Sequence, residues 1–258
     1  MSKPQAQGKL TGSNVLIIGG SSGIGFAVAK ASLGEGANVT LASSQESRLT
    51  FAVNRLRAQY PTTQVEGKIC NIGNSDDLES NLAALFAGFK DPIDHIVFTA
   101  GDALAVGPVS EFSAAAITQA GVVRFLAPLL LAKYAARHLR PGHVSSLTLT
   151  GATVAQKPQP GWVVPAAYGA ALEGIVRGLA LDLKPARVNA VCPGAVMTEL
   201  WNPMPAEMRK QTWEAIARGH TTGRMGEPED VAEAYVYLMK DRNCSGTLVH
   251  TDGGVLVM

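Results

Sequence analysis

Short runs of consecutive apolar residues alternate along the chain with longer segments whose apolar positions recur every three or four residues. The runs at 15–18, 38–42, 64–70, 95–99, 146–150, 187–192 and 247–251 read as strands. The segments 23–33, 46–60, 76–89, 114–137, 168–183 and 228–239 read as amphipathic helices. An unbroken run such as Val15-Leu16-Ile17-Ile18 suits a strand buried on both faces. Regular alternation of the two patterns predicts one α/β domain: a doubly wound, mostly parallel, seven-stranded sheet with helices on both faces. Residues 199–224 break the alternation, with Trp201, Pro203, Pro205 and Trp213 in a stretch of helical character. A segment of this kind after a late strand is expected to cover a ligand site at the carboxyl ends of the strands. There is no internal repeat and no low-complexity linker.

Composition narrows the class. Of 258 residues, 47% are hydrophobic and 17% charged, which excludes a disordered chain. The 22 basic residues against 21 acidic ones leave a net charge of +1, so no basic surplus points to nucleic acid or to a membrane surface. Cys70, Cys192 and Cys244 are too scattered for a disulfide framework or a zinc site, which fits a reducing compartment. His95, His138, His143, His220 and His250 show no metal-ligand spacing; they read as surface or packing residues, and no metal is expected. The opening residues 1–12 are polar and lack the apolar centre of a signal peptide. The longest apolar run, 125–132, contains a proline and falls far short of the roughly 20 residues a membrane span needs. The expectation is a cytoplasmic protein whose partner is a small molecule.

Directly after the first strand comes Gly19-Gly20-Ser21-Ser22-Gly23-Ile24-Gly25, which opens the first helix. Glycines there permit a tight turn and close backbone approach to a pyrophosphate, and the helix N-terminus supplies free N–H groups. In this context the cluster predicts dinucleotide binding and a Rossmann-type domain. The second strand ends at Leu41-Ala42-Ser43-Ser44, without the carboxylate that would hold the ribose hydroxyls of NAD and repel a 2′-phosphate. Arg48 lies one helical turn further on, so NADP (NADPH) is favoured. Ser43 also reads as a helix cap, with Glu46 three residues later completing a capping box, and the two roles are compatible.

With these features the chain resembles the short-chain dehydrogenase/reductase family over nearly its whole length. Gly19-x-x-x-Gly23-x-Gly25 is similar to that family's cofactor loop, although Ile18 stands where a threonine is usual. Thr99-Ala100-Gly101 resembles its Asn-Ala-Gly turn, and Pro193-Gly194 with Thr198 resembles the motif beside the nicotinamide carboxamide. The stretch Gly226-Glu227-Pro228-Glu229-Asp230-Val231-Ala232 and Asp252-Gly253-Gly254 fit as well. The resemblance implies cofactor contacts from Gly19, Ser21, Ser22, Gly23, Ile24 and Gly25, and from Ser43, Ser44, Arg48 and Asn71. It implies further contacts from Ala100, Gly101, Pro193, Gly194, Val196 and Thr198. It also implies a homotetramer or homodimer.

The family's catalytic set is not matched. Its tyrosine and lysine stand four apart on one helix face; here Tyr168 keeps the tyrosine and Leu172 stands for the lysine. The family's serine aligns with Gly151, and its asparagine with Arg124. Without a neighbouring cation, Tyr168 is a poor acid relay at neutral pH. Reduction of a ketone needs a proton for the developing alkoxide, whereas an iminium cation is neutralised by hydride alone. The second chemistry fits a site without its relay.

Pro158-Gln159-Pro160-Gly161-Trp162, together with Arg124 and the missing serine and lysine, resembles a fungal subgroup of that family. These are the bifunctional imine reductase/Diels–Alderases of prenylated indole alkaloid biosynthesis, of the malbrancheamide and paraherquamide type. The subgroup carries aspartate where this chain has Gln159. The resemblance implies a catalytic set of Arg124, Gln159, Trp162, Tyr168 and Asp102. Each has an ordinary reading too: Trp162 can anchor its loop in the core, and Arg124 can form a structural pair with Asp102. The expected function is NADPH-dependent reduction of an imine or iminium in alkaloid biosynthesis, coupled to an intramolecular [4+2] cyclisation. A carbonyl reductase using Arg124 for oxyanion stabilisation, and an inactive nucleotide-binding scaffold, are the alternatives.

Overall fold

The computed structural model describes residues 8–258. The polar opening segment therefore lies mostly outside the described residues. The strands are β1 (Asn14–Ile18), β2 (Asn38–Ser43), β3 (Val65–Ile69), β4 (His95–Phe98), β5 (Ser146–Thr150), β6 (Arg187–Pro193) and β7 (Leu248–Thr251). They form one sheet in the order β3-β2-β1-β4-β5-β6-β7, with every neighbouring pair parallel. The helices are α1 (Gly23–Gly34), α2 (Glu46–Gln59), α3 (Ser75–Ala87), α4 (Ala114–Gly121), α5 (Ala127–His138), α6 (Val163–Asp182), α7 (Ala206–Arg218) and α8 (Pro228–Lys240).

Alternation along the strands divides the core in two. Leu16 and Ile18 of β1 join the cluster under α3, α5 and α6, while Val15 and Ile17 join the cluster under α1, α2 and α8. Two stretches, Ala114–His138 and Val163–Asp182, are long and apolar enough to cross a membrane by length and composition. In this fold each packs one face on the core: Ala127, Leu131, Val176 and Leu179 are buried in the first cluster.

Two helix expectations are corrected. The segment read as one helix over 114–137 is interrupted by a π-helical turn, Val122–Leu126, between α4 and α5. Arg124 sits in that turn. Helix α6 begins at Val163, five residues before the expected start, because Pro165 occupies its first turn, where a missing N–H breaks no helical bond. The insertion 199–224 is helical as expected, a 3-10 turn at Glu199–Trp201 followed by α7.

The end of the sheet opposite the glycine turn is held by a buried cation. Arg187, 2% exposed, donates to the carbonyls of His143, Leu238, Met239 and Cys244, and so closes the C-terminus of α8. Burial lowers its pKa. His95 is a packing residue: it is buried, its Nδ1 lies 2.8 Å from Ser146 Oγ, and desolvation lowers its pKa to about 4. Arg187→Met is expected to lower unfolding free energy by about 2–4 kcal/mol, because it strips partners from several buried carbonyls at once. Breaking the exposed Arg224–Asp230 pair should change it by less than about 1 kcal/mol. Urea denaturation of the two variants checks the contrast; equal losses would mean that the Arg187 bonds add no more than a surface pair.

Candidate active site

The glycine turn is built by close approach of backbone to backbone. Gly19 has φ +88°, and a Cβ there would lie 2.5 Å from the Ala100 nitrogen. A Cβ on Gly25 would collide with the Gly19 carbonyl and Thr99 Oγ1. Thr99 Oγ1 in turn donates to the Ile18 carbonyl at 3.1 Å, so the ends of β1 and β4 are bolted together. Gly23, at φ +51°, faces Thr198, whose Cγ2 is 3.2 Å from where a Cβ would stand. The N-cap of α1, Ser22, makes no capping bond with its side chain, and the first turn holds no acidic residue. The first N–H groups of α1 therefore remain available to an anion beside the turn, and this cradle fits the diphosphate of a dinucleotide.

Beside it, Ser21 Oγ and Ser43 Oγ are 2.9 Å apart. This corrects one expectation: Ser43 does not cap α2. The N-cap is Gln45, with no side-chain capping bond, and no box with Glu46 forms. Ser43 is buried, whereas Ser44 and Arg48 are exposed at the same edge. Asn71, after β3, uses its side chain to accept from Gly73 N–H at 3.0 Å. Val196 is buried, and Pro193 ends β6; Gly194 approaches Asp252 so closely that a Cβ would lie 2.9 Å from its carbonyl oxygen.

Beside the turn after β4, Arg124 Nη2 donates to the Asp102 carbonyl and lies 2.9 Å from Asp102 Oδ1. That Oδ1 is buried and, although close to the cation, accepts no hydrogen bond. The guanidinium lies against the bare face of Gly101, where a Cβ would be 3.7 Å from Nη1. Burial pulls the Arg124 pKa down, and Asp102 offsets part of the effect. Among the described residues only Nη2 has a protein acceptor, so Nη1 and Nε can donate to a ligand.

The positions of the absent relay are closed. A Cβ on Gly151 would lie 2.6 Å from Cys192 Sγ and 3.6 Å from Leu172 Cδ2. Leu172 is buried in the first core cluster. Burial pushes the Cys192 thiol up to about 11, so it stays a neutral, apolar filler. Tyr168 is turned towards α4: its hydroxyl donates to the Ile117 carbonyl at 2.9 Å and its ring lies where a side chain on Gly121 would be. Gly169 lies against Ala155, and helical spacing gives Pro165 the same face. Four residues after Tyr168 the helix carries Leu172 and no lysine.

Gln159 is exposed, and its carbonyl accepts from Trp162 N–H at 3.0 Å, closing the turn that leads into α6. Gly161, at φ +82°, accepts from Gly107 N–H at 2.9 Å. The structure thus joins Arg124 to Asp102 directly. Among the described residues no hydrogen bond or ion pair links that couple to the side chains of Gln159, Trp162 or Tyr168. Sequence reasoning missed Cys192, whose role comes from a contact across two strands. It also missed Tyr235, a buried phenol on α8 whose hydroxyl lies 2.5 Å from Thr150 Oγ1 and fixes the end of β5.

Comparison with known proteins agrees with this geometry. The short-chain dehydrogenase/reductase fsr5 of Gibberella fujikuroi is 44% identical over 259 residues, covering 96% of both chains. The short-chain dehydrogenase/reductase malC of Malbranchea aurantiaca is 40% identical over 253 residues, again covering 96% of each. A solved structure of the MalC reductase/Diels–Alderase from that organism superposes with a TM-score of 0.93 at 39% identity, covering 98% of this chain and all of the other. A small-chain dehydrogenase solved in complex with NADPH superposes with a TM-score of 0.77 at 27% identity, over 96% of this chain and all of that one. The SDR-like Rossmann domain family matches residues 6–258. By this match, and by the order of its strands and the build of its glycine turn, the chain belongs to the short-chain dehydrogenase/reductase family.

Proposed function

We propose that the protein is an NADPH-dependent reductase of a cyclic imine or iminium, and that the same pocket guides an intramolecular [4+2] cyclisation of the product. The observation that carries the first half is the closure of the relay position: Cys192 Sγ fills the space beside Gly151, and Leu172 is core. NADPH, when bound, supplies a hydride. The residues that would hold it are the glycine turn Gly19–Gly25 and the end of β2, where Ser21, Ser43 and Arg48 offer donors to a 2′-phosphate. A ketone would in addition need a proton at its oxygen; Gly151 and Leu172 carry none, and the Tyr168 hydroxyl is turned to the Ile117 carbonyl with no cation beside it, among the described residues, to activate it. An iminium carbon needs no proton.

For the cyclisation, the protein's contribution is to hold diene and alkene in one folded approach, since no proton moves in the bond-forming step. Arg124 is suited to hydrogen-bond a ring carbonyl through Nη1, with Asp102 fixing the guanidinium from behind. Trp162 offers a flat apolar face for an indole. Gln159 can orient an amide but cannot carry charge. The similarity to the MalC reductase/Diels–Alderase supports this half of the reading.

Arg48→Ala is expected to weaken NADPH binding roughly tenfold and leave NADH nearly unchanged, as loss of one screened charge-assisted contact would. Fluorescence titration with both cofactors checks it, and equal losses would assign Arg48 a structural role. Tyr168→Phe should keep single-turnover NADPH oxidation with an iminium within about tenfold, less than a general acid supplies; a thousandfold drop would overturn the relay-free reading. The cyclase half is tested with a prenylated cyclic iminium derived from proline and tryptophan, supplied with NADPH, the products being resolved on a chiral column. Enantiomeric excess is expected, and Gln159→Asp should raise it. A racemic product in the ratio of the buffer control would remove the cyclase half and leave the reductase half standing.

A further inference from the structure

The loop that carries Gln159 and Trp162 is held from outside itself. It leaves β5 through a 3-10 turn at Thr153–Ala155 and enters α6 at Val163, with Gln156 through Pro160 exposed. On one side Gly107 N–H donates to Gly161. On the other, Lys157 Nζ donates to the Val255 carbonyl at 2.8 Å and to the Met258 main-chain oxygen at 2.6 Å. Gln156 Nε2 lies 3.4 Å from both Glu173 Oε1 and His250 Nε2. No Asp or Glu side chain pairs with Lys157 among the described residues.

The turn that receives Lys157 is itself a junction. Thr221 Oγ1 donates to the Gly253 carbonyl at 3.0 Å, and Thr222 N–H donates to the same carbonyl at 3.2 Å. Those threonines end the helical insertion 199–224. Gly254, at φ +76°, begins the final 3-10 turn, and a Cβ there would run into Thr221 Oγ1. Asp252 packs against Gly194, at the end of β6. One short segment thus touches the loop after β5, the segment after β6 and the end of the insertion.

We propose that Lys157 is a positioning residue: by clamping the loop onto the turn at Gly254–Val257, it fixes Gln159 and Trp162 relative to the insertion, and so sets how the substrate lies. This rests on the iminium reading for the identity of the substrate, but the mechanical coupling does not. Charge makes the idea separable from a direct electrostatic effect. Removing a cation near the pocket should by itself favour a cationic substrate and lower KM. Loss of positioning should raise it.

The test uses the full chain carrying Lys157→Met, Lys157→Arg or Gly254→Ala, with amide hydrogen exchange as the first readout. Lys157→Met is expected to speed exchange about tenfold in both 156–162 and 252–258, while exchange around β1 and α1 stays as in the parent. Gly254→Ala, which strains the receiving turn and its contact with Thr221 but leaves Lys157 in place, should speed exchange in 156–162 as well. In turnover, Lys157→Met should raise KM for the cyclic iminium about fivefold to tenfold, leave kcat and NADPH affinity within about twofold, and be rescued by Lys157→Arg. If Gly254→Ala loosens its own turn and leaves 156–162 unchanged, or if Lys157→Met lowers KM, the proposal is wrong. Should Lys157→Met fold poorly, Gly254→Ala carries the decision. Exchange requires no substrate, so failure of the iminium reading would appear as absent turnover in the parent enzyme with the coupling intact.

Discussion

Backbone contact between the turn after β1 and the turn after β4 underlies everything at this end of the sheet. Gly19 lies so near Ala100, and Gly25 so near Thr99, that no side chain fits between them. Two parallel strands are thereby brought to a common height, with the N-terminus of α1 aimed across their ends. Arg124 can reach Asp102 and lie against Gly101 only because the β4 turn is held there. A methyl group on either glycine would force the two turns apart. The cleft is therefore a property of two turns held together, and the helices around it inherit their placement.

Within that frame the chemistry departs from the fold's common pattern by filling space as much as by losing functional groups. Gly151 has no room for a side chain: the volume beside it is taken by Cys192 from the neighbouring strand. Burial keeps that thiol protonated, and Leu172 adds a second apolar contact. A dry wall of this kind stabilises no alkoxide and hydrates no cation. Arg124, held by Asp102 against Gly101, keeps its charge beside the turn after β4.

The sheet was legible because strands buried on both faces must be continuous apolar runs, and the seven runs match the seven strands to within a residue or two at each end. The cradle was legible because only glycine tolerates that backbone and that proximity. The Arg124–Asp102 couple could be anticipated, since an arginine in an apolar helix must find a partner. The π-helical turn left no mark in the pattern, as one extra residue shifts an apolar stripe by less than its own width. The early start of α6 was hidden by Pro165, which reads as a breaker although it is compatible with a first turn. Cys192 beside Gly151, and Lys157 on a carbonyl 98 residues away, depend on tertiary neighbours that no local spacing encodes.

The π-helical turn has an evolutionary consequence. Such a turn holds one residue more than the α-helical turn it replaces, and each residue of an α-helix advances the face by about 100°. Helices α4 and α5 are therefore out of phase with one another by the advance of one residue, and Arg124 stands at the point where the phase slips. Loss of a single codon between Val122 and Leu126 would bring the two helices back into phase and carry a different side chain to the cleft. The identity of the group facing Gly101 is thus governed by chain length in one helix as well as by substitution. A lineage can change the chemistry of this wall in a single mutational step without disturbing the sheet beneath it.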